Sequence, residues 1–394
     1  MSNLFPKETK AEVQAKMQFN MYDAADVLQW NLVNGLEANG TAVSMINLLP
    51  VDSWPQYYGD ACVKRHVFSH KAGALDVNVG FCNIKYIKRL LLKHAYAAEV
   101  RKTQQKGQSK GKDGVIAYSL NPPFIAAIKA LKRKEPGIKA VAIVADLPEF
   151  SGVTGNLLRR IYRIASNKKI KKDLSVFDGF VLLTDQMAKK MEIQTPYMVM
   201  EGVAGEREVD IDQKQAEKTI FYSGSMNVQY GVTILLEAFA KIEDVDMKLV
   251  LCGLGDAEDF VQQHAKKDCR IQYLGKIPHA QALALQQSAT VLVNPRQNVG
   301  EFTKYSFPSK TMEYLASGVP VVAYKLDGIP DEYGAHINYV PDNSPEALAR
   351  ELERICNLSI DERKTMGKAA QEFVLKEKNA TVQTKRILEF MDNL

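Results

Sequence analysis

The chain has 394 residues, of which 46% are hydrophobic and 25% charged; this is too long for one compact core, suits two α/β domains, and is the composition of an ordinary globular protein rather than a disordered or fibrous one. No run approaches the ~18 uninterrupted apolar residues of a membrane span, and Met1-Ser-Asn-Leu-Phe-Pro-Lys-Glu-Thr9 has no basic stretch followed by an apolar one, so neither a spanning helix nor a signal peptide is expected. The net charge of +5 conceals an asymmetry: residues 1–200 carry 29 Lys+Arg against 17 Asp+Glu and residues 201–394 carry 22 against 29, as expected of two domains with different partners.

In the first half, strand-like runs at Thr41–Val51, Val63–Ser69, Gly114–Leu120, Lys139–Ala145 and Gly179–Thr184 alternate with helical stretches at Ala24–Asn39, Ile84–Lys106, Pro123–Lys134 and Asn156–Lys168. Ala140-Val-Ala-Ile-Val-Ala145 is the continuous apolar run of a strand buried on both faces, and the alternation implies βαβ units. Only Ser2-Asn-Leu-Phe5 precedes Pro6, so the opening strand is either very short or encoded upstream. Gln104–Asp113 reads as a polar surface loop and Gly202–Gln215 as an interdomain hinge.

The second half repeats the pattern more cleanly. Strands are expected at Thr219–Tyr222, Met247–Cys252, Arg270–Leu274, Ala289–Val293, Val319–Tyr324 and His336–Val340. Helices are expected at Val232–Lys241, Ala257–Lys267, His279–Ser288, Ser309–Ala316, Pro345–Ile355, Ile360–Lys376 and Thr381–Met391. The five cysteines, Cys62, Cys82, Cys252, Cys269 and Cys356, are odd in number and include no Cys-x-x-Cys pair, which argues for a reducing compartment without disulfides or a zinc site; Cys252 reads as a small buried thiol.

The densest chemical signal is Tyr305-Ser-Phe-Pro-Ser-Lys-Thr-Met-Glu-Tyr-Leu-Ala-Ser-Gly-Val-Pro-Val-Val322. Ser306 and Ser309 are capping types, Pro308 suits a first turn, and Gly318 ends the helix. Lys310 and Glu313, three residues apart, share one face. A lysine in the first turn opposes the helix dipole by roughly 0.3–1 kcal/mol, a cost that makes sense if a phosphate sits there too. A solvated Lys–Glu pair on an exposed helix explains the same spacing equally well. Thr219-Ile-Phe-Tyr-Ser-Gly-Ser-Met226 and Leu249-Val-Leu-Cys-Gly-Leu-Gly-Asp256 are strands running into small-residue turns. Gly224, Ser225 and Gly253 would let backbone amides approach a diphosphate, because α/β sheets bind ligands at the carboxyl ends of their strands. A dinucleotide fingerprint would need a glycine where Glu258 stands, which weakens an NAD reading.

These pieces, with Gly231, Gly275-Lys-Ile-Pro278 and Val293-Asn-Pro-Arg296 in the same order, resemble the donor domain of family 4 retaining glycosyltransferases of the bacterial polysaccharide-biosynthesis type. The resemblance implies the α/β GT-B fold, with two Rossmann-like domains whose parallel sheets face each other across a cleft. The acceptor domain would span residues 1–204, the donor domain 205–375, and a C-terminal helix at 376–394 would pack back on the first domain. It implies that Glu313 holds the donor ribose, that Lys276 and Ile277 meet the base, and that Gly224, Ser225 and Lys310, with Gly253, Arg296 and Ser309 nearby, bind the rest of the donor. The family often has a glutamate eight residues before Glu313 and a basic residue before Gly231; this chain has Tyr305 and Tyr230 there. Glu301 is a candidate for the missing carboxylate. Asp146 stands where similar enzymes place His-Asp and would face the cleft as an acceptor-orienting group or serve as a plain turn aspartate.

The function so implied is transfer of a sugar from a nucleoside-diphosphate donor, UDP-linked, to a glycan or polyprenyl-linked acceptor, with retention and without a metal or other cofactor. Asp210-Ile-Asp212 and Asp244-Val-Asp246 do not follow apolar strands and are discounted as metal–diphosphate clamps. The basic segment with Arg159, Arg160, Arg163, Lys168, Lys169, Lys171 and Lys172 has interleaved apolar residues and suits an anionic membrane surface or plain surface charge. No nucleic-acid motif accompanies it. A cytoplasmic protein, peripheral on the inner face of the plasma membrane, is therefore expected. A nucleotide-sugar epimerase and a non-catalytic GT-B scaffold subunit are the competing readings.

Overall fold

The computed structural model describes residues 1–18, 23–105, 114–147, 167–205 and 218–394. The Lys106–Asp113 part of the expected loop, most of the helix expected at 156–168 with Arg159, Arg160 and Arg163, and the expected hinge from Glu206 onward, with Asp210 and Asp212, lie outside them. Chain contacts divide the protein into one unit of Met1–Glu201 with Ala380–Leu394, and a second of Gly202–Asn379.

In the first unit β1 (Ile46–Asn47), β2 (Cys62–Val63), β3 (His66–Phe68), β4 (Asp76–Asn78) and β5 (Phe81–Cys82) are short. They form a mixed sheet ordered β1-β4-β3 and an antiparallel β2-β5 pair. β6 (Gly114–Tyr118), β7 (Lys139–Val144), β8 (Gly179–Leu182) and β9 (Tyr197–Val199) form a parallel sheet in that order, and β7 and β8 are buried along almost their whole length. Met1 and Ser2 lie between the two sheets: Ser2 bonds β1 through Ile46 and Leu48, and the Tyr118 amide donates to the Met1 carbonyl at 2.9 Å. Met1 and Ser2 thus link the two sheets.

The long strand expected over Thr41–Val51 pairs only at Ile46–Asn47. Polar side chains take the neighbouring backbone bonds: Asp76 accepts from the Met45 amide at 2.8 Å, and the Asn47 carboxamide serves Ser2, Leu4 and Asn78. The run expected at Val63–Ser69 splits into β2 and β3 where Gly80 passes so close that a Cβ on it would lie 2.7 Å from the Arg65 nitrogen. The Lys10–Lys16 helix, β4 and β5 were not expected from the sequence, being too short for periodicity to register.

The Ala380–Asp392 helix packs on the Asp23–Ala38 helix. Asn39 Nδ2 donates to the Thr381 carbonyl at 2.8 Å and to Thr384 Oγ1 at 2.9 Å, and Phe390 and Met391 sit over Gly179 and Gly114. At the crossing, a Cβ on Gly35 would lie 2.3 Å from the Ala380 carbonyl oxygen. In an open helix Gly→Ala stabilises by about 0.5–1 kcal/mol. Here overpacking costs about 1–3 kcal/mol, so Gly35→Ala is expected to lower the first unit's denaturant midpoint. A raised midpoint would show that the two helices are not in close contact.

The second unit has one six-stranded parallel sheet: β10 (Thr219–Ser223), β11 (Lys248–Cys252), β12 (Ile271–Tyr273), β13 (Val291–Asn294), β14 (Val321–Ala323) and β15 (Asn338–Tyr339), in spatial order β12-β11-β10-β13-β14-β15. Side chains alternate between two cores. Ile220, Leu249, Val291 and Val293 meet the helices Val232–Phe239 and Pro345–Cys356 on one face. Phe221, Val250, Leu292 and Val321 meet His279–Ser288, Ser309–Leu315 and Ile360–Glu377 on the other. Both faces are covered, which explains the uninterrupted apolar strands. The order reverses between β10 and β13, and such a switch point is where doubly wound sheets open a crevice for ligands.

Candidate functional site

The loops leaving β10 and β11 close on each other at the switch-point end of the sheet. The Gly224 amide donates to the Cys252 carbonyl at 3.0 Å, Met226 to Leu254 at 3.0 Å, and Gly253 to Gly275 at 2.8 Å. Gly253 has φ +140°, and a Cβ on it would fall 1.7 Å from the Gly224 oxygen. Backbone therefore touches backbone here, and the Gly224 amide expected to meet a diphosphate is already used within the protein; Gly224 offers a ligand space rather than a donor. Ser225 follows it, its carbonyl accepting from the Tyr222 hydroxyl at 2.8 Å. Cys252 is buried, which pushes its thiol up to about 11 and leaves it inert at neutral pH.

Beside this loop stands Glu313, partly buried on the Ser309–Leu315 helix. Its Oε1 accepts from Lys310 Nζ at 2.8 Å and Gln286 Nε2 at 2.5 Å, and His279 Nε2 lies 3.3 Å from Oε2. Burial alone would push the carboxyl up, but His279, Lys310 and Gln286 outweigh it and hold the group well below the usual carboxylate range. Gln286 also donates to Ser223 Oγ at 3.1 Å, the Ser223 amide donates to Tyr314 Oη at 2.8 Å, and that hydroxyl donates to the Ser223 carbonyl at 3.0 Å. The end of β10 and the Glu313 helix are thus locked together.

A depressed carboxylate stabilises the fold fully above its unfolded value of about 4.3 and loses that contribution as pH falls toward the folded value. The stability gap between wild type and Glu313→Gln should therefore be widest near neutrality and narrow below about pH 4, read from urea midpoints at several pH values. A gap independent of pH would show that Glu313 is neutral in the folded protein.

Neither Ser306 nor Ser309 caps the helix as the sequence suggested. Pro308 holds the cap position in an extended conformation with no side-chain bond, because Ser306 Oγ is taken by Arg296 and the Phe302 carbonyl. Arg296, after β13, is 8% exposed; its Nη2 donates to Ser306 Oγ at 3.0 Å, and its guanidinium lies 5.5 Å from the Tyr230 ring and 4.6 Å from the Phe302 ring. Lys276 and Ile277 follow β12 through Gly275, and Ile277 packs against the core. Glu301 is exposed at the start of the Glu301–Tyr305 turn. Asp146, just past β7 in the first unit, is at the surface, yet burial still pushes its carboxyl up. Asp244 pairs with Lys218 at 2.5 Å and shapes a turn through the Asp246 amide. Lys168, Lys169, Lys171 and Lys172 are exposed. The sequence reading missed His279 and Gln286; their spacing of seven, which puts both on one helical face, was the available signal.

Residues 206–373 match the model of the glycosyl transferases group 1 family. The matched stretch covers less than half of the chain. It contains the switch point, Arg296, Lys310 and Glu313. Among curated proteins, the chain is 25% identical over 272 residues to a probable glycosyltransferase, WbjE, of Pseudomonas aeruginosa, covering 62% of this chain and 67% of that one. It is 31% identical over 142 residues to the phosphatidyl-myo-inositol mannosyltransferase of Mycobacterium leprae, covering 34% of this chain and 36% of the relative. Among solved structures it is similar to the sucrose-phosphate synthase of Thermosynechococcus elongatus, with a TM-score of 0.60, 18% identity and 93% of each chain covered. That likeness carries the fold, GT-B, and the match over residues 206–373 together with the curated relatives makes the protein a transferase.

Proposed function

We propose that the protein moves a sugar from a UDP-linked donor to a glycan or lipid-linked acceptor in cell-surface polysaccharide synthesis, with retention at the anomeric carbon. The observation that carries this reading is the ionised, partly buried Glu313 at the switch point, inside the stretch that matches the group 1 family and held there by Lys310, Gln286 and His279. In this reading the sugar–phosphate bond breaks, the diphosphate departs with the electron pair, and the acceptor hydroxyl supplies the new bond and releases a proton. Lys310 is placed to share its charge between Glu313 and the departing phosphate. Asp146, whose carboxyl burial pushes up, would orient the acceptor and suits taking that proton; Glu301 is the second candidate carboxylate. Base contacts fall to Lys276 and Ile277, and no cofactor is invoked.

Support for the acceptor class comes from the names of the relatives, one acting on phosphatidyl-myo-inositol and another a putative colanic acid biosynthesis enzyme of Escherichia coli. Among the described residues no helix is long and apolar enough to cross a membrane. A lipid-linked acceptor would be met by a cytoplasmic protein at the membrane surface, and that location belongs to the proposal. An epimerase would need a histidine open to substrate beside a pair of acid/base carboxylates. His279 is exposed, but its Glu313 neighbour at 3.3 Å is the carboxylate assigned here to the ribose, and His70, with Asp76 at 2.6 Å and Glu37 at 3.3 Å, is only 4% exposed with both ring nitrogens engaged. The test is a thermal-shift panel of nucleoside diphosphates, since only a ligand of the folded state raises the melting temperature, followed by incubation with UDP-sugars. Transfer or slow hydrolysis is expected. Isomerisation would make the protein an epimerase, and absence of any turnover a scaffold.

A further inference from the structure

Cys62 and Cys82, twenty residues apart in the chain, stand directly opposite each other on the antiparallel β2–β5 pair. In such a ladder, opposed residues that exchange backbone bonds alternate with opposed residues that do not. The Asn83 amide donates to the Ala61 carbonyl at 2.7 Å, so Ala61 and Asn83 are a bonded pair and Cys62 and Cys82 a non-bonded one. Opposed residues of the second kind have Cα atoms about 4.5 Å apart and side chains close together on one face. A disulfide joins Cα atoms roughly 4.4–6.8 Å apart. The backbone therefore already sets the spacing at which these two thiols can join.

The register is fastened on both sides. Asn83 is buried, and its Nδ2 donates to the Asp52 carbonyl at 2.9 Å and the Asp60 carbonyl at 3.3 Å. At the other end Gly80 packs against the Arg65 backbone, and Arg65 is held by two bonds to the buried Glu99, at 2.9 and 2.7 Å. A slip of one residue would break these contacts and turn the thiols to opposite faces. Cys62 is exposed and Cys82 partly so, within reach of a dissolved reagent. Cys252 and Cys356 are buried, which pushes their thiols up to about 11 and about 12, and Cys269 is exposed in the second unit. All five are free thiols in the structure.

We propose that Cys62 and Cys82 are a redox modification site, a dithiol that a small-molecule disulfide converts to a cross-strand disulfide. The exposed Cys62, as thiolate, attacks one sulfur of the reagent. The reagent's sulfur–sulfur bond breaks, a mixed disulfide forms and one thiolate leaves. Cys82, as thiolate, then attacks the Cys62 sulfur and expels the second thiolate. The protons given up by the two cysteines end on the two departing thiols; the protein loses two electrons and the reagent gains them. The new bond closes a ring that contains β3 and β4 and so restricts the unfolded chain. Reducing conditions keep the pair open and oxidising ones close it. Neither cysteine belongs to the donor site, and the proposal does not depend on the nucleotide-sugar reading.

The experiment incubates the full chain, as wild type, Cys62→Ser and Cys269→Ser, with oxidised glutathione in the absence of denaturant. Remaining thiols are blocked with iodoacetamide and the digested protein is mapped by mass spectrometry. In wild type and Cys269→Ser the peptides carrying Cys62 and Cys82 are expected joined, two hydrogens lighter than their reduced sum. Cys62→Ser should leave Cys82 as a thiol or a single glutathione adduct. The joined form should melt about 4 °C or more above the reduced form, a shift that dithiothreitol reverses and Cys62→Ser lacks. Recovery of Cys62 and Cys82 as free thiols or as two separate glutathione adducts would overturn the proposal. So would either of them joined to Cys269 or to another chain. A joined form that melts no higher than the reduced one would also overturn it, because the bond would then form only by distorting the ladder.

Discussion

Gly253→Ala is expected to destabilise the second unit by about 2–6 kcal/mol, combining backbone strain of roughly 1–3 kcal/mol with overpacking of similar size. Both terms have a visible source. The residue sits at φ +140°, a conformation L side chains rarely adopt, and its new methyl would lie 1.7 Å from the Gly224 oxygen. Neither loop can yield cheaply, because Gly224, Met226 and Gly253 are fastened by backbone bonds to Cys252, Leu254 and Gly275. Gly275 provides the control: it has φ +61° but nothing within 4 Å of its Cβ position, so alanine there costs only the strain, about 1 kcal/mol. Urea midpoints at unchanged slope measure the difference. If the two alanine variants were equally mild, the loop contact would be wrong.

Glu313→Ala is expected to weaken UDP binding by roughly 10- to 150-fold, the equivalent of losing a hydrogen bond of about 1.5–3 kcal/mol to a charged acceptor. The carboxylate organises its neighbours as well as meeting the ribose in this reading. Without it Lys310, Gln286 and His279 lose a shared acceptor, and Lys310 is left to a phosphate alone. Glu313→Gln separates the two effects, since the amide keeps one acceptor oxygen but removes the charge. It should lose less affinity than alanine. Equal and small effects of both variants on UDP, measured by calorimetry, would remove Glu313 from the nucleotide site.

The βα alternation of the second unit was legible because buried parallel strands announce themselves as apolar runs, and the His279–Ser288 helix falls on its expected bounds. Proximity of Lys310 and Glu313 followed from helical geometry alone. What surrounds them did not, because His279 and Gln286 arrive from a helix 34 and 27 residues away in sequence, and Tyr314 reaches Ser223 across 91. Periodicity carries no information about such meetings. The serines before the Lys310 helix look like caps to a local rule, yet Arg296 competes for Ser306 and wins. In the first unit, side chains such as Asn47 and Asp76 replace sheet bonds, so a strand of eleven expected residues shrinks to the pair Ile46–Asn47.

The central claim is that a nucleoside diphosphate binds at the carboxyl ends of β10 and β13, and the position of UDP in a crystal soaked with it tests that claim most directly. The expected density lies against Ser225, Arg296, Lys310 and Glu313, with the ribose on Glu313 and the phosphates toward the two cations. UDP bound elsewhere, or that crevice empty under saturating ligand, would contradict it.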